Sequence, residues 1–361
     1  MTGQRDPLVD MAATAWAPRI IQNGVDYAGF TATMARIATW DQWLPEWVRS
    51  ADEHAEIAEE AEAAGHGLTA GHAWRRAAVT RHFAKFVWTL DLDLVAEATL
   101  RSVDEMRRAY AFLDPTAERI EADFDGEAVA AVLRRPAEVA EPRLVVLLPG
   151  LDSTKEEFFP LEETFLQRGL ATLSIDGPGQ GETGLRIPLR ADYHRAVTAV
   201  LNEVKRSVDG GAGMVEGVAV CGVSLGGFYA PLVAAHESRV RVMAAISGPY
   251  AAWDKWDEMP PISKQAFIAR THSATADEAF EVVRQLDLTG VCEKIQAVCL
   301  YVAGDQDRLV PWQHTQRQAQ ETPNASFVCY PGGNHVLANL PHRARPMIAD
   351  WITDQMKPLA G

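Results

Sequence analysis

Three short stretches carry residue types that can do nucleophilic chemistry together. Ser224 sits in "CGVSLGG", where Gly222-Val-Ser224-Leu-Gly226 fits G-x-S-x-G; this pattern sets a serine on a sharp strand-to-helix turn with small neighbours that let the backbone bend beneath it. Asp307 follows an apolar run in "CLYVAGDQDRLVP", and His335 follows another in "SFVCYPGGNH". A serine hydroxyl is a poor nucleophile near neutral pH. The imidazole of His335 would take its proton, and the Asp307 carboxylate would fix the imidazole tautomer and steady the imidazolium. Each residue also has a plain structural reading: an elbow serine in an inactive relative, an N-cap before "VPWQHTQRQAQ", and a loop histidine satisfied by backbone. Asp305 is a second, weaker candidate for the acid.

Acyl transfer also needs donors for a developing oxyanion, normally the N–H after the nucleophile and one from the loop after an earlier strand. Leu225 supplies the first and Leu151, just after Gly150 in "PGLDSTKEE", the second. "IDGPGQGE" (175–182) alternates its glycines without matching either nucleotide-binding glycine pattern. It reads as a tight loop beside the mouth of the site.

The elements that must hold these residues follow from the texture of the chain. From about residue 118, short apolar runs ("RLVVLLPG", "ATLSID", "VAVCGV", "VRVMAAI", "AVCLYVAG", "ASFVCY") alternate with helical stretches. Such runs predict a mostly parallel sheet with helices on both faces, and an α/β architecture places its chemistry at the carboxyl ends of the strands. The order Ser224, Asp307, His335 is the order of the α/β-hydrolase fold. "RIEADF", Asp125-Gly126 and "EAVAAVLRRP" predict a leading hairpin. Residues 252–290, between two strands, are too many for a simple crossover and predict a cap. Residues 1–116 are rich in Ala, Glu and Arg and predict an all-helical N-terminal domain, with 117–361 as the catalytic domain. Six of the ten tryptophans fall in the helical part; they are expected as core fillers, with an aromatic substrate pocket as the sharper alternative.

Composition narrows the partners. A chain of 361 residues with 47% hydrophobic content can bury a full core and an extra domain. Its net charge of −15 repels nucleic acid and anionic membrane. No apolar run reaches spanning length, and the start lacks a basic stretch followed by an apolar one, so no membrane association and a cytoplasmic location are expected. The four cysteines show no metal-site spacing; Cys221, Cys299 and Cys329 lie in apolar runs and are expected as buried free thiols.

"LLPGLDSTKEE", "SIDGPGQGET", "CGVSLGG", "VAGDQDRLVP" and "GGNHV", behind a long helical region, resemble the α/β-hydrolase family that includes 2,6-dihydroxypseudooxynicotine hydrolases and fungal polyketide-shortening C–C hydrolases. The resemblance implies hydrolysis of a C–C bond next to a carbonyl in an aryl ketone or polyketide-like small molecule, with no metal and no organic cofactor. It also implies an active site roofed by the N-terminal domain, and a homodimer. Carbon is a poor leaving group, so a proton donor is needed near it. The family's glutamate for this task falls at Met259 or its neighbours in "WDKWDEMPPISK"; Asp254, Asp257 and Glu258 remain candidates, as do His82 and His194 as pocket donors. Two other functions are compatible with parts of the pattern: a carboxylesterase or thioesterase using the same triad, and a non-catalytic relative acting through protein contacts.

Overall fold

The computed structural model describes residues 5–357; the ends of the N-terminal and catalytic domains expected from sequence at 1–4 and 358–361 lie outside the described residues. Two compact units result, one running to Ala117 and including Glu156–Pro160, the other holding Glu118–Lys155 and continuing from Leu161.

The first unit is helical: α1 (Pro7–Ala15), α2 (Ala17–Gln22), α3 (Tyr27–Arg36), α4 (Trp43–Ala63), α5 (Gly67–Ala84) and α6 (Leu92–Leu113). Helix α5 packs against both α4 and α6. Its alanines 70, 73, 77 and 78 are all buried, and small side chains on several sides are what a central helix needs for two close neighbours. Trp43, Trp47, Trp74 and Trp88 are buried, and Trp16 and Trp40 stack edge-on or tilted against Trp43, so the tryptophans fill a core. Arg81, fully buried, is held by Glu105 and Asp52.

The second unit holds β1 (Glu118–Phe124), β2 (Glu127–Arg134), β3 (Leu144–Leu148), α7 (Phe159–Leu166) from Leu161 onward, β4 (Ala171–Asp176), α8 (Tyr193–Ser207), α9 (Gly211–Met214), β5 (Val218–Val223), α10 (Leu225–His236), β6 (Val240–Ile246), α11 (Pro261–Arg270), α12 (Ala276–Val283), β7 (Val298–Gly304), α13 (Trp312–Glu321), β8 (Ala325–Tyr330) and α14 (Pro341–Met356). The eight strands form one sheet in the order β1-β2-β4-β3-β5-β6-β7-β8, in which β1–β2 and β2–β4 are antiparallel and the other pairs parallel. The hairpin predicted from Asp125-Gly126 is present, with positive φ at both turn residues as a tight primed turn requires. Every residue of β3 and β4 is buried, the signature of strands covered on both faces.

Register sets the functional end. Leu148 pairs with Gly222, Gly222 with Ala245, Ile246 with Val302, and Gly304 with Tyr330, so β3, β5, β6, β7 and β8 end at one level. The segment between β6 and β7 carries α11 and α12, with Ala251 bridging Asp287 at its base. All four cysteines are unpaired; Cys221 and Cys299 are buried as expected, Cys292 is buried too, and Cys329, expected to be buried, is only half-buried because it lies on edge strand β8, where no further strand covers that side. Among the described residues no helix is long and apolar enough to cross a membrane.

Candidate active site

Ser224 stands between β5 and α10 with φ 56° and ψ −122°, a left-handed backbone that a non-glycine residue adopts only when its surroundings enforce it. Its N–H donates to Ile246 O at 2.8 Å and its carbonyl accepts from Gly227 N at 2.7 Å. The flanking glycines make room for this turn: a Cβ on Gly222 would lie 2.0 Å from Gly226 O, and one on Gly226 would lie 2.1 Å from Leu148 O. The G-x-S-x-G spacing is thus a steric requirement of strand, turn and helix passing this close.

His335 Nε2 lies 2.9 Å from Ser224 Oγ, and His335 Nδ1 lies 2.8 Å from Asp307 Oδ2. Asp307 is buried; its other oxygen accepts from the N–H groups of Leu309 and Val310, both at 2.9 Å. Burial pushes the Asp307 pKa up, but His335 and the two N–H donors outweigh it and hold the carboxyl below its ordinary value. A buried, ionised Asp307 keeps the proton on Nδ1 and leaves Nε2 to accept from the serine. Asp305 turns elsewhere, accepting from Gly332 N at 2.7 Å.

The turn that carries His335 is itself held under strain. Val336 and Leu337 have φ of 52° and 57°, and Val336 N donates at 3.1 Å to the hydroxyl of Ser247, a fully buried residue that also has positive φ. Asn334 and Asn339 exchange reciprocal backbone-to-side-chain hydrogen bonds across the same turn. No pattern in the sequence marks Ser247 for this part.

Opposite the serine lies Gly150. A Cβ there would sit 3.1 Å from Ser224 Cβ and 3.5 Å from Ser224 Oγ, so the missing side chain leaves space beside the hydroxyl. The N–H groups of Leu151, next in the chain, and of Leu225, the first residue of α10, make no hydrogen bond to another described residue. Two unclaimed N–H donors on residues next to Gly150 and Ser224 are what holding an oxyanion there would require.

The loops behind this pocket explain why "PGLDSTKEE" and "DGPGQGE" occur together. Lys155, buried, donates its ammonium to Asp176 at 2.9 Å and to Glu182 at 2.6 Å, while its N–H donates to the other Asp176 oxygen at 2.8 Å. Arg119 pairs with Glu182 from the hairpin side at 2.7 Å. Burial works against ionisation of Glu182, but the Arg119 and Lys155 contacts prevail and lower its pKa to about 2.

The remaining sequence candidates fall elsewhere. Asp254, Asp257 and Glu258 are exposed on the cap segment and, among the described residues, none bonds to Ser224, His335 or Asp307. Glu258 faces Lys255 at 3.2 Å, and Asp254 lies 3.6 Å from His314 Nε2. His314, on α13, accepts the Tyr250 N–H at Nδ1, which assigns its proton to Nε2 on the Asp254 side. Met259 is half-buried and packs against the core. His82 belongs to the helical unit, fully buried between Glu157 Oε2 at 3.1 Å and Lys85 Nζ at 3.3 Å; burial and Lys85 lower its pKa, and it serves that unit's internal polar network. His194 stacks on His236 with ring centroids 4.3 Å apart. Since His236 ends the 12-residue helix that starts beside Ser224, about 18 Å of helix separates His194 from the serine, which removes it as a pocket donor.

The alpha/beta hydrolase family model matches residues 145–348. Over 340 residues, 93% of this chain and 90% of the relative, the chain is 32% identical to a protein named 2,6-dihydropseudooxynicotine hydrolase from Paenarthrobacter nicotinovorans. It is 30% identical over 240 residues, 63% of this chain and 57% of the relative, to 20-hydroxy-prefusarin hydrolase from Gibberella moniliformis. The crystal structure of the 2,6-dihydroxy-pseudo-oxynicotine hydrolase superposes with a TM-score of 0.84 at 30% identity, covering 94% of this chain and 95% of that one. With a sheet of this order, an elbow of this geometry and these matches, the chain belongs to the alpha/beta hydrolase family and is a hydrolase.

Proposed function

We propose that this hydrolase uses Ser224 to cleave a C–C bond adjacent to a carbonyl in an aryl ketone or polyketide-like small molecule. The observation that carries the reading is the unbroken chain from Ser224 Oγ through His335 to Asp307; the unclaimed N–H groups of Leu151, next to Gly150, and of Leu225, next to Ser224, support it as oxyanion donors. The choice of bond is supported by the 32% identity, over 93% of the chain, with the dihydropseudooxynicotine hydrolase.

In the proposed reaction His335 Nε2 takes the Ser224 proton as Oγ adds to the ketone carbon, and the carbonyl electron pair becomes an oxyanion held by Leu151 and Leu225 N–H. Collapse re-forms the carbonyl and breaks the acyl–carbon bond. The bonding pair stays on the departing carbon, which takes up the proton held by the His335 imidazolium as it leaves, so that His335 is neutral again; an electron-rich ring accepts that proton most readily. The acyl-serine is then hydrolysed by a water that His335 deprotonates, giving a carboxylic acid and the free enzyme. Cofactor-free chemistry and a homodimer belong to the same reading and rest on the family resemblance; the four unpaired cysteines support a cytoplasmic location.

The test is a comparison of substrates. Purified protein is expected to release a carboxylic acid and a free phenol ring from acylated dihydroxybenzene ketones with a kcat/KM at least about tenfold above that for p-nitrophenyl esters of matched acyl length. Efficient ester turnover with no ketone cleavage, followed by chromatography of both products, would instead assign an esterase.

A further inference from the structure

We infer that Gln180, in the "PGQG" loop, is the positioning residue of the oxyanion pocket. The inference rests on the reading of Ser224 as nucleophile and of Leu151 N–H as an oxyanion donor.

The Gln180 side chain is buried and uses all its hydrogen-bonding capacity. Its Nε2 donates to Pro149 O at 2.6 Å and to Gly150 O at 3.1 Å; its Oε1 accepts from Gly177 N at 3.1 Å and from the Tyr193 hydroxyl at 2.7 Å. The orientation of the amide is not a free choice. Two backbone carbonyls can only accept and the Gly177 N–H can only donate, so the NH2 group must face residues 149 and 150. Tyr193, fully buried on α8, then braces the oxygen from behind.

The consequence follows from peptide geometry. The Gly150 carbonyl and the Leu151 N–H belong to one planar trans peptide, so they point in opposite directions. Holding the carbonyl toward Gln180 directs the N–H away from it. The donor that must meet an oxyanion within a few tenths of an ångström is therefore aimed by an amide that never touches substrate. A hydrogen bond to that carbonyl also polarises the peptide and strengthens its N–H as a donor. Because the cradle exists before substrate arrives, Gln180 should act on the transition state and leave ground-state binding nearly untouched.

The experiment uses p-nitrophenyl butyrate as substrate and phenyl trifluoromethyl ketone as probe, since the ketone forms a tetrahedral adduct with an activated serine. Gln180→Met keeps the length and removes both donors. It is expected to lower kcat on the order of 10- to 100-fold and to weaken trifluoromethyl ketone inhibition by the same factor, with KM within about twofold and the pH dependence of kcat/KM unmoved. Tyr193→Phe, which keeps the amide and removes one brace, is expected to shift kcat and inhibition together by a smaller factor, about 4- to 10-fold, and it decides the matter if Gln180→Met does not fold. Variants whose kcat and inhibition constant stay within about threefold of wild type, or whose kcat falls while inhibition is unchanged, would overturn the assignment. Wild-type protein that neither hydrolyses the ester nor binds the ketone would overturn the underlying serine mechanism instead, so the two failures are distinct.

Discussion

Alanine at position 224 is expected to lower turnover by a factor on the order of 10⁴ to 10⁶ while leaving the fold intact. The serine hydroxyl makes one described hydrogen bond, to His335 Nε2, so its removal breaks no other contact. Alanine carries the same Cβ into the same left-handed backbone, and the strain of the elbow is unchanged. His335→Ala is expected to cost about as much, and the double variant little more than either single one, because serine and histidine act as one unit. Rates on the best ketone or ester, read beside thermal melts, check this. A Ser224→Ala protein with near wild-type turnover would remove the nucleophile from the mechanism.

The second large effect concerns stability. Lys155→Met is expected to destabilise the protein by about 3–5 kcal/mol, since removing one partner of a buried ion pair leaves the others uncompensated. Asp176 and Glu182 would face one another in a buried site, with Arg119 and the N–H groups of residues 155 and 182 among their partners but without the ammonium between them. The deficit has a predictable pH dependence. In the wild type the Glu182 pKa is depressed from 4.5 to about 2, so its contribution is fully present above the unfolded value and is lost as pH falls through that window. Much of that contribution is missing from the variant at every pH. The gap between the two proteins should therefore be widest near neutrality and narrow as pH drops from about 5 toward 2. Urea unfolding across that range measures it; equal stability of the two proteins at pH 7 would contradict the coupling of the two loops.

What could be read in advance divides along physical lines. The hydrogen-bonded grouping of Ser224, His335 and Asp307 was legible because each member follows an apolar run, and parallel strands of matched register bring run-ends to one level. The proposal of Leu151 as an oxyanion donor rests, in sequence and structure alike, on its position after β3 and Gly150. Gln180 was not: an uncharged amide has no periodicity, and its role depends on two carbonyls about thirty residues upstream and on a tyrosine of α8. Ser247 was hidden for the same reason, since its hydroxyl serves a turn 89 residues away in the chain. His194 misled because a histidine on a helix near apolar residues reads alike at either end of the neighbouring helix. Only the packing of α8 on α10 shows it beside His236, at the end remote from the serine. Cap acids pose a related problem: acidic side chains in a segment between strands look the same whether they face solvent or substrate, and Asp254, Asp257 and Glu258 are exposed.

The central claim is that Ser224 is an activated nucleophile, and the most direct measurement is mass spectrometry of the protein after exposure to a fluorophosphonate. The account predicts a single adduct, mapped by peptide sequencing to Ser224, formed in wild type and absent from Ser224→Ala. An intact, folded wild-type protein that gains no adduct, or one that carries it on another residue, would contradict the account at its first chemical step.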